Sequence, residues 1–104
     1  MTIDAVSQST GAERVVDVES SGEGVLLVIR EAGVVLSRVV APADALLAVL
    51  TERPKGSQTV AGDEGQVLEV EVRRNEVLLG VGGADAAVGL DDFMDALAGV
   101  LPAA

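Results

Sequence analysis

Three aspartates stand close together near the end of the chain, in the stretch Gly89–Leu97, which has the sequence GLDDFMDAL. Asp91, Asp92 and Asp95 could bind a hard cation, because Mg²⁺ and Ca²⁺ take several carboxylate oxygens that converge on one point. On a helix, however, Asp91 and Asp95 lie on one side and Asp92 points elsewhere. We therefore predict that Asp91 is a helix cap and that the other two acids lie in the first turn, where the helix dipole favours them. We expect no metal site.

The other residue types offer little for catalysis. The chain contains no cysteine and no histidine, so a Ser–His or Cys–His nucleophile cannot be built. Glu69 and Glu71 could do acid–base work, but alternate residues on a strand usually form its solvated face. No lysine follows the glycines of the segment 80–83, so we interpret this segment as a bend in a strand rather than a phosphate-binding loop. The sequence predicts a protein that is not an enzyme and needs no cofactor.

The composition is that of an acidic globular domain. Hydrophobic residues make up 49% of the 104 residues, and seventeen acids against seven bases give a net charge of −10. Such a charge repels nucleic acid and anionic membranes, and it favours basic partners. The start of the chain, Met1–Asp4, lacks the basic residues and the apolar run of a signal peptide, and no apolar run approaches the length of a membrane span. We expect a cytoplasmic protein.

Hydrophobic periodicity organises the first half of the chain. Residues 1–12 are polar and aperiodic, and they predict a loose N-terminal arm. Alternating or continuously apolar runs then predict strands over 14–19, 25–29 and 34–40. A stripe of aliphatic residues at helical spacing follows over 43–50 and predicts the first helix.

The second half repeats this plan. Its apolar patterns predict strands over 58–61, 67–73, 76–81 and 86–90. A closing helix is predicted over 92–101, with Phe93 and Leu97 on its inner side. Phe93 is the only aromatic residue of the chain, and we predict that it anchors the core.

Together these elements predict an α+β fold, in which an antiparallel sheet carries two helices on one face. A single domain is expected over residues 13–104. Within it, tandem βββα pseudo-repeats are expected over 13–54 and 57–102, because both halves place hairpin strands before a helix.

The apolar strand predicted over 25–29 indicates that the protein self-associates. This strand is apolar on both faces, and two short helices can cover only one of them. We therefore predict a homo-oligomer, a dimer first, because an isologous dimer is the simplest way to bury the second face. The predicted interface residues are Val25, Leu27, Ile29, Val35 and Val39.

The element order carries two resemblances. Over residues 13–101 it resembles the type III secretion chaperones, which dimerise and hold an extended segment of a client protein. Tandem strands followed by a helix are also similar in topology to the Whirly and Pur families, which bind single-stranded nucleic acid.

The favoured hypothesis is a small acidic non-enzymatic protein-binding module that acts as a homo-oligomer, in a chaperone-, adaptor-, inhibitor- or immunity-type role. Its partner would be a protein, either basic or presented as an extended segment. The alternative is a nucleic-acid-related role, either Pur- or Whirly-like single-strand binding or mimicry of nucleic acid by the acidic surface.

Overall fold

The computed structural model describes residues 1–22 and 24–100, which form eight strands, two α-helices and a 3₁₀ turn. The strands are β1 (Thr2–Val6), β2 (Glu13–Ser21), β3 (Gly24–Glu31), β4 (Val34–Pro42), β5 (Gln58–Ala61), β6 (Val67–Val72), β7 (Glu76–Val81) and β8 (Ala84–Gly89). The helices are α1 (Ala43–Glu52) and α2 (Leu90–Val100), and the 3₁₀ turn covers Asp63–Gly65. The fold is α+β and consists mostly of sheet. The predicted end of the last helix, residue 101, lies outside the described residues.

One antiparallel sheet contains all eight strands, in the order β4-β3-β2-β1-β8-β7-β6-β5. Every neighbouring pair except β1 and β8 is also consecutive along the chain, so each half of the sheet is a meander. The β1–β8 pair joins the two halves through Ala5 with Val88 and Val6 with Ala87. The sheet curls until its edges, β4 and β5, approach each other, which makes a nearly closed barrel.

The N-terminal residues lie at the centre of this sheet. Thr2–Val6 pair with β2 on one side and with β8 on the other, and Ile3 and Ala5 point into the core. The prediction of a loose arm is therefore wrong for these residues. Their alternation of polar and apolar side chains has the period of a half-buried strand, although the segment as a whole is polar. Each half of the chain consequently contributes four strands before its helix.

The inward residues of the strands and the inner sides of both helices form one continuous core. In α1, Leu46 and Leu50 are four residues apart and share the buried stripe. In α2 the stripe contains Phe93, Ala96 and Leu97, and Phe93 is fully buried. The curled sheet and the helices thus enclose a single apolar interior.

The seam between β4 and β5 is closed without strand pairing. The Val40 N–H donates to Asp63 Oδ1 at 2.9 Å, just beyond the end of β5. Gly62 lies so close to β4 that a Cβ built on it would overlap Val39 Cγ2 and would stand 3.2 Å from the Val40 carbonyl oxygen. Only a residue without a side chain fits this approach.

Candidate functional site

An exposed aliphatic run begins β4. The exposed fractions of Val34, Val35 and Leu36 are 61%, 50% and 40%. The pairing with β3 is irregular here, because Arg30 pairs with Val35 while the preceding residue of β3 pairs with Ser37. Leu36 is therefore the extra residue of a β-bulge and has no partner opposite it.

The same segment has a free edge. β4 is one of the two edge strands of the sheet, and within the described residues β5, at the other edge, pairs with β6 alone. Among the described residues, no hydrogen bond reaches the outer edge of β4 between Val34 and Arg38. A strand edge of this kind offers backbone N–H and C=O groups to another chain.

Charged residues of both signs flank the aliphatic run, since Glu31 pairs with Val34 at its start. Arg30 and Arg38 are both exposed, and the Arg30 Nε lies 2.9 Å from Asp17 Oδ2. Arg38 forms no ion pair with a described residue. The run of Val34, Val35 and Leu36, together with Arg30 and Arg38, is called the β4 shoulder below. The nearby acids Glu31 and Asp17 are each paired with an arginine, on a chain with a net charge of −10.

A second feature is a polar network around Asp85, at the start of β8. Asp85 Oδ1 accepts hydrogen bonds from the hydroxyls of Ser7 at 2.9 Å and Ser9 at 2.8 Å. Asp85 Oδ2 accepts the backbone N–H of Gln8 at 2.6 Å and that of Ser9 at 3.3 Å. The carboxylate thus holds the loop after β1 against β8.

Arg14 completes this network, which is called the Asp85 clasp below. Its Nη1 donates to the Asp85 carbonyl oxygen at 2.6 Å and lies 3.3 Å from Asp85 Oδ1. Its Nε donates to Glu31 Oε1 at 3.0 Å. The side chain of Arg14 is 10% exposed, so one guanidinium links β2, β3 and β8 near the end of the barrel opposite the helices.

The clasp keeps Asp85 ionised. Burial raises the pKa of Asp85, but the hydrogen bonds from the hydroxyls of Ser9 and Ser7 and from the N–H groups of Gln8 and Ser9 lower it by more, so the pKa lies below its ordinary value. Ser7 is only 1% exposed, and its hydroxyl also accepts the N–H of Thr10. Both groups are therefore occupied with holding the loop.

The predicted acidic site lies at the start of α2. The helix begins at Leu90, so Asp91 lies inside the first turn instead of at the cap position, and its prediction as the cap is corrected. The Leu90 N–H donates to the Asn75 carbonyl oxygen at 3.0 Å. The first N–H of the helix is therefore bonded by a carbonyl of the turn between β6 and β7. In the described part of the chain, no group of three or more histidine, cysteine, aspartate or glutamate residues is arranged to hold a metal ion.

The prediction of an interface is wrong for four of its five residues, which are buried inside the chain. Val25, Leu27, Ile29 and Val39 are at most 1% exposed, because they line the inner face of the curled sheet and are covered by the helices and by strands of the same chain. Val35 alone is exposed, as a member of the β4 shoulder. The curl of the sheet thus encloses the face of β3 that carries Val25, Leu27 and Ile29.

Sequence patterns missed the clasp because its members are far apart in the chain. Ser7 and Asp85 are separated by 78 residues, and the loop that holds Ser7 was expected to be part of a loose arm. The alternation within Thr2–Val6 is the one local pattern that could have placed Ser7 at the end of a strand. Three consecutive aliphatics over 34–36 likewise require that some of them face outward, which could have pointed to the shoulder.

Neither described helix combines the length and hydropathy that a membrane span requires. Comparison of the chain with protein-family models, curated proteins and solved structures found no match.

Proposed function

We propose that this protein is a small, acidic, non-enzymatic protein-binding module that acts as a homo-oligomer. The observation that carries the proposal is the β4 shoulder, where three exposed aliphatic side chains coincide with a free strand edge. Proteins usually protect such edges with charged residues, prolines or covering loops, because an open apolar edge recruits another strand. An edge left open in this way is suited to strand addition, in which an extended segment pairs with the sheet.

The clasp supports a binding role over a catalytic one. Both Asp85 oxygens accept hydrogen bonds from the loop after β1, and the Ser7 hydroxyl is buried beneath that loop. A general base or nucleophile needs lone pairs that are free for substrate, and in Asp85 and Ser7 hydrogen bonds within the clasp already occupy them. Chaperone-, adaptor-, inhibitor- and immunity-type roles all agree with a module that presents one binding edge.

The burial of Phe93 weighs against single-strand binding. Proteins that bind single-stranded nucleic acid stack bases on exposed aromatic side chains in a basic groove. Phe93 is the only aromatic residue of the chain, it is fully buried, and the net charge is −10. A protein partner is therefore favoured over the nucleic-acid alternative.

The proposal includes a duplicated architecture, with two helices on one face of the sheet, and a cytoplasmic location. Equivalent hairpins support the duplication, since the β3–β4 turn at Ala32–Gly33 and the β7–β8 turn at Gly82–Gly83 both contain two residues with positive φ. Each pair lies at the last turn before a strand that leads into a helix. Fractionation of host cells tests the location.

Sedimentation velocity at micromolar concentration tests the oligomer. The wild-type chain is expected to sediment with twice its own mass, and Val35→Lys is expected to shift it to the monomer because a charge then enters the apolar contact. Met94→Lys is the control, since Met94 has a similar exposed fraction of 41% but lies on α2. A wild-type protein that stays monomeric at all concentrations would contradict the proposal.

A further inference from the structure

The free edge of β4 has a defined polarity. The Val40 N–H points away from β3, because it donates to Asp63 Oδ1. In an antiparallel ladder, backbone groups alternate in direction along a strand. Val40 pairs with Leu26. Arg38, two residues earlier in β4, pairs with Val28, two residues later in β3. The Arg38 N–H therefore also points away from β3, towards the free edge.

We propose that the β4 shoulder binds a second copy of this chain, with the two β4 strands antiparallel and the two-fold axis close to Leu36. The inference rests on the proposed function and deepens it by naming the partner and the geometry. Each copy would add its segment Val34–Arg38 to the sheet of the other. The two barrels would then share one continuous strand pair.

Closure favours a second copy over an unrelated chain. An antiparallel strand pair around a two-fold axis is self-complementary, so one contact uses the free edge of both molecules at once. Gly62 and Asp63 already contact β4 at Val39 and Val40. The free segment of β4 is therefore only the part from Val34 to Arg38. Because each copy contributes the same short segment, the pairing uses the free part of β4 in both molecules and stops at the dimer.

Charge favours the same arrangement. Each copy carries a net charge of −10, and like charges repel two approaching copies. At the shoulder the acids Asp17 and Glu31 are paired with Arg30 and Arg14, while Arg38 forms no ion pair with a described residue. Two copies that meet at their shoulders therefore keep most of their acidic residues apart. Each Arg38 then approaches a partner whose net charge is negative.

Disulfide trapping tests the position of the axis. The chain has no cysteine, so Leu36→Cys introduces a single thiol. Residues that face each other across an antiparallel pair have Cα atoms about 4.5–5.5 Å apart, within the range that a disulfide spans. Under mild oxidation, Leu36→Cys is expected to form covalent dimers at least roughly ten times faster than the matched control Met94→Cys. The exposed fractions of the two sites are 40% and 41%.

A proline variant tests the strand pairing itself. Arg38→Pro removes an N–H that points to the free edge, and edge strands tolerate proline at such positions. It is expected to abolish the dimer in sedimentation, while Arg38→Ala, which also removes the charge, keeps most of it. Circular dichroism checks that both variants are folded.

The outcomes separate this inference from the proposed function. Fast trapping at position 36 together with a monomeric Arg38→Pro supports both. A wild-type dimer in which position 36 is trapped no faster than position 94 overturns the strand-pair geometry and leaves the proposed function standing. A folded Arg38→Pro that still dimerises like Arg38→Ala overturns the geometry as well. A monomeric wild-type chain overturns both.

Discussion

Asp85 concentrates more hydrogen bonds than any other side chain in the described residues. Its two oxygens accept hydroxyl and backbone donors from the loop after β1, and Arg14 lies against it from β2. A carboxylate that loses water on burial needs such donors to stay charged. Their joint effect is to tie the beginning of the chain to β8.

We expect Asp85→Asn to lower the free energy of unfolding in a pH-dependent way. The folded-state pKa of Asp85 is lowered, so its contribution to stability is complete above the unfolded-state pKa, which is about 3.9. That contribution is lost as the pH falls through the folded-state pKa. At pH 6 the variant should be less stable by about 1–3 kcal/mol, the usual cost of removing hydrogen bonds to a charged group.

Urea unfolding at pH 6 and at a series of values below the unfolded-state pKa measures this difference. The gap between wild type and Asp85→Asn should narrow as the solution becomes more acidic. Glu19→Gln is the control, because Glu19 is exposed on β2 and its side chain makes no hydrogen bond with a described residue. A gap that stays constant over the whole range would show that ionisation of Asp85 does not contribute to stability.

At the scale of the elements, the β4–β5 seam depends on one glycine. A Cβ on Gly62 would overlap Val39 Cγ2, so Gly62→Ala must push β4 away or distort the turn. We expect the substitution to lower the free energy of unfolding by roughly 1–3 kcal/mol, as overpacking does. Thermal unfolding with calorimetry measures it.

Gly99→Ala is the matched control for the seam. No atom of a described residue lies within 4 Å of a Cβ built on Gly99, which sits in the last turn of α2. Alanine has a higher helix propensity than glycine by about 1 kcal/mol in a helix interior, so this variant should be as stable as the wild type or more stable. If both variants unfold at the same temperature, the seam tolerates a side chain and the close approach has no energetic role.

The positions of most elements follow from local patterns. Strand β7 begins and ends at the residues that the alternation predicts, and β5 appears at 58–61 as an edge strand. These patterns succeed because burial of one face imposes a period of two on a strand. Strand β1 was missed because Thr2 and Asp4 make the segment polar, and because one of its two neighbours is a strand more than 75 residues away.

The surface of the candidate site was harder to predict than its strands. The continuously apolar run of β3 predicts burial, but it does not say what covers each face of the strand. The curl of the sheet decides this, since it encloses Val25, Leu27 and Ile29 and leaves the start of β4 outside. Curl arises from strand pairing around the whole barrel, which no short window of sequence contains.

At the scale of the whole molecule, the barrel needs its first strand. We expect removal of residues 1–12 to unfold the chain, because β1 pairs with both β2 and β8 and because the Asp85 clasp loses its donors. A loose arm, by contrast, could be removed without loss. Circular dichroism and thermal unfolding of the shortened chain distinguish the two. A shortened chain with an unchanged melting temperature would show that β1 is dispensable.

The pairing of the first strand with the last also sets an order of events during synthesis. The first four strands leave the ribosome as a meander that can pair internally, but the side of β1 that pairs with β8 stays open until β8 has been translated. Contacts between distant residues form slowly, and an unpaired strand edge is prone to aggregate meanwhile. Slow translation of the second half would therefore prolong the time during which the edge of β1 is exposed and the nascent protein can misassemble. This period ends when the β7–β8 hairpin emerges and β8 pairs with β1.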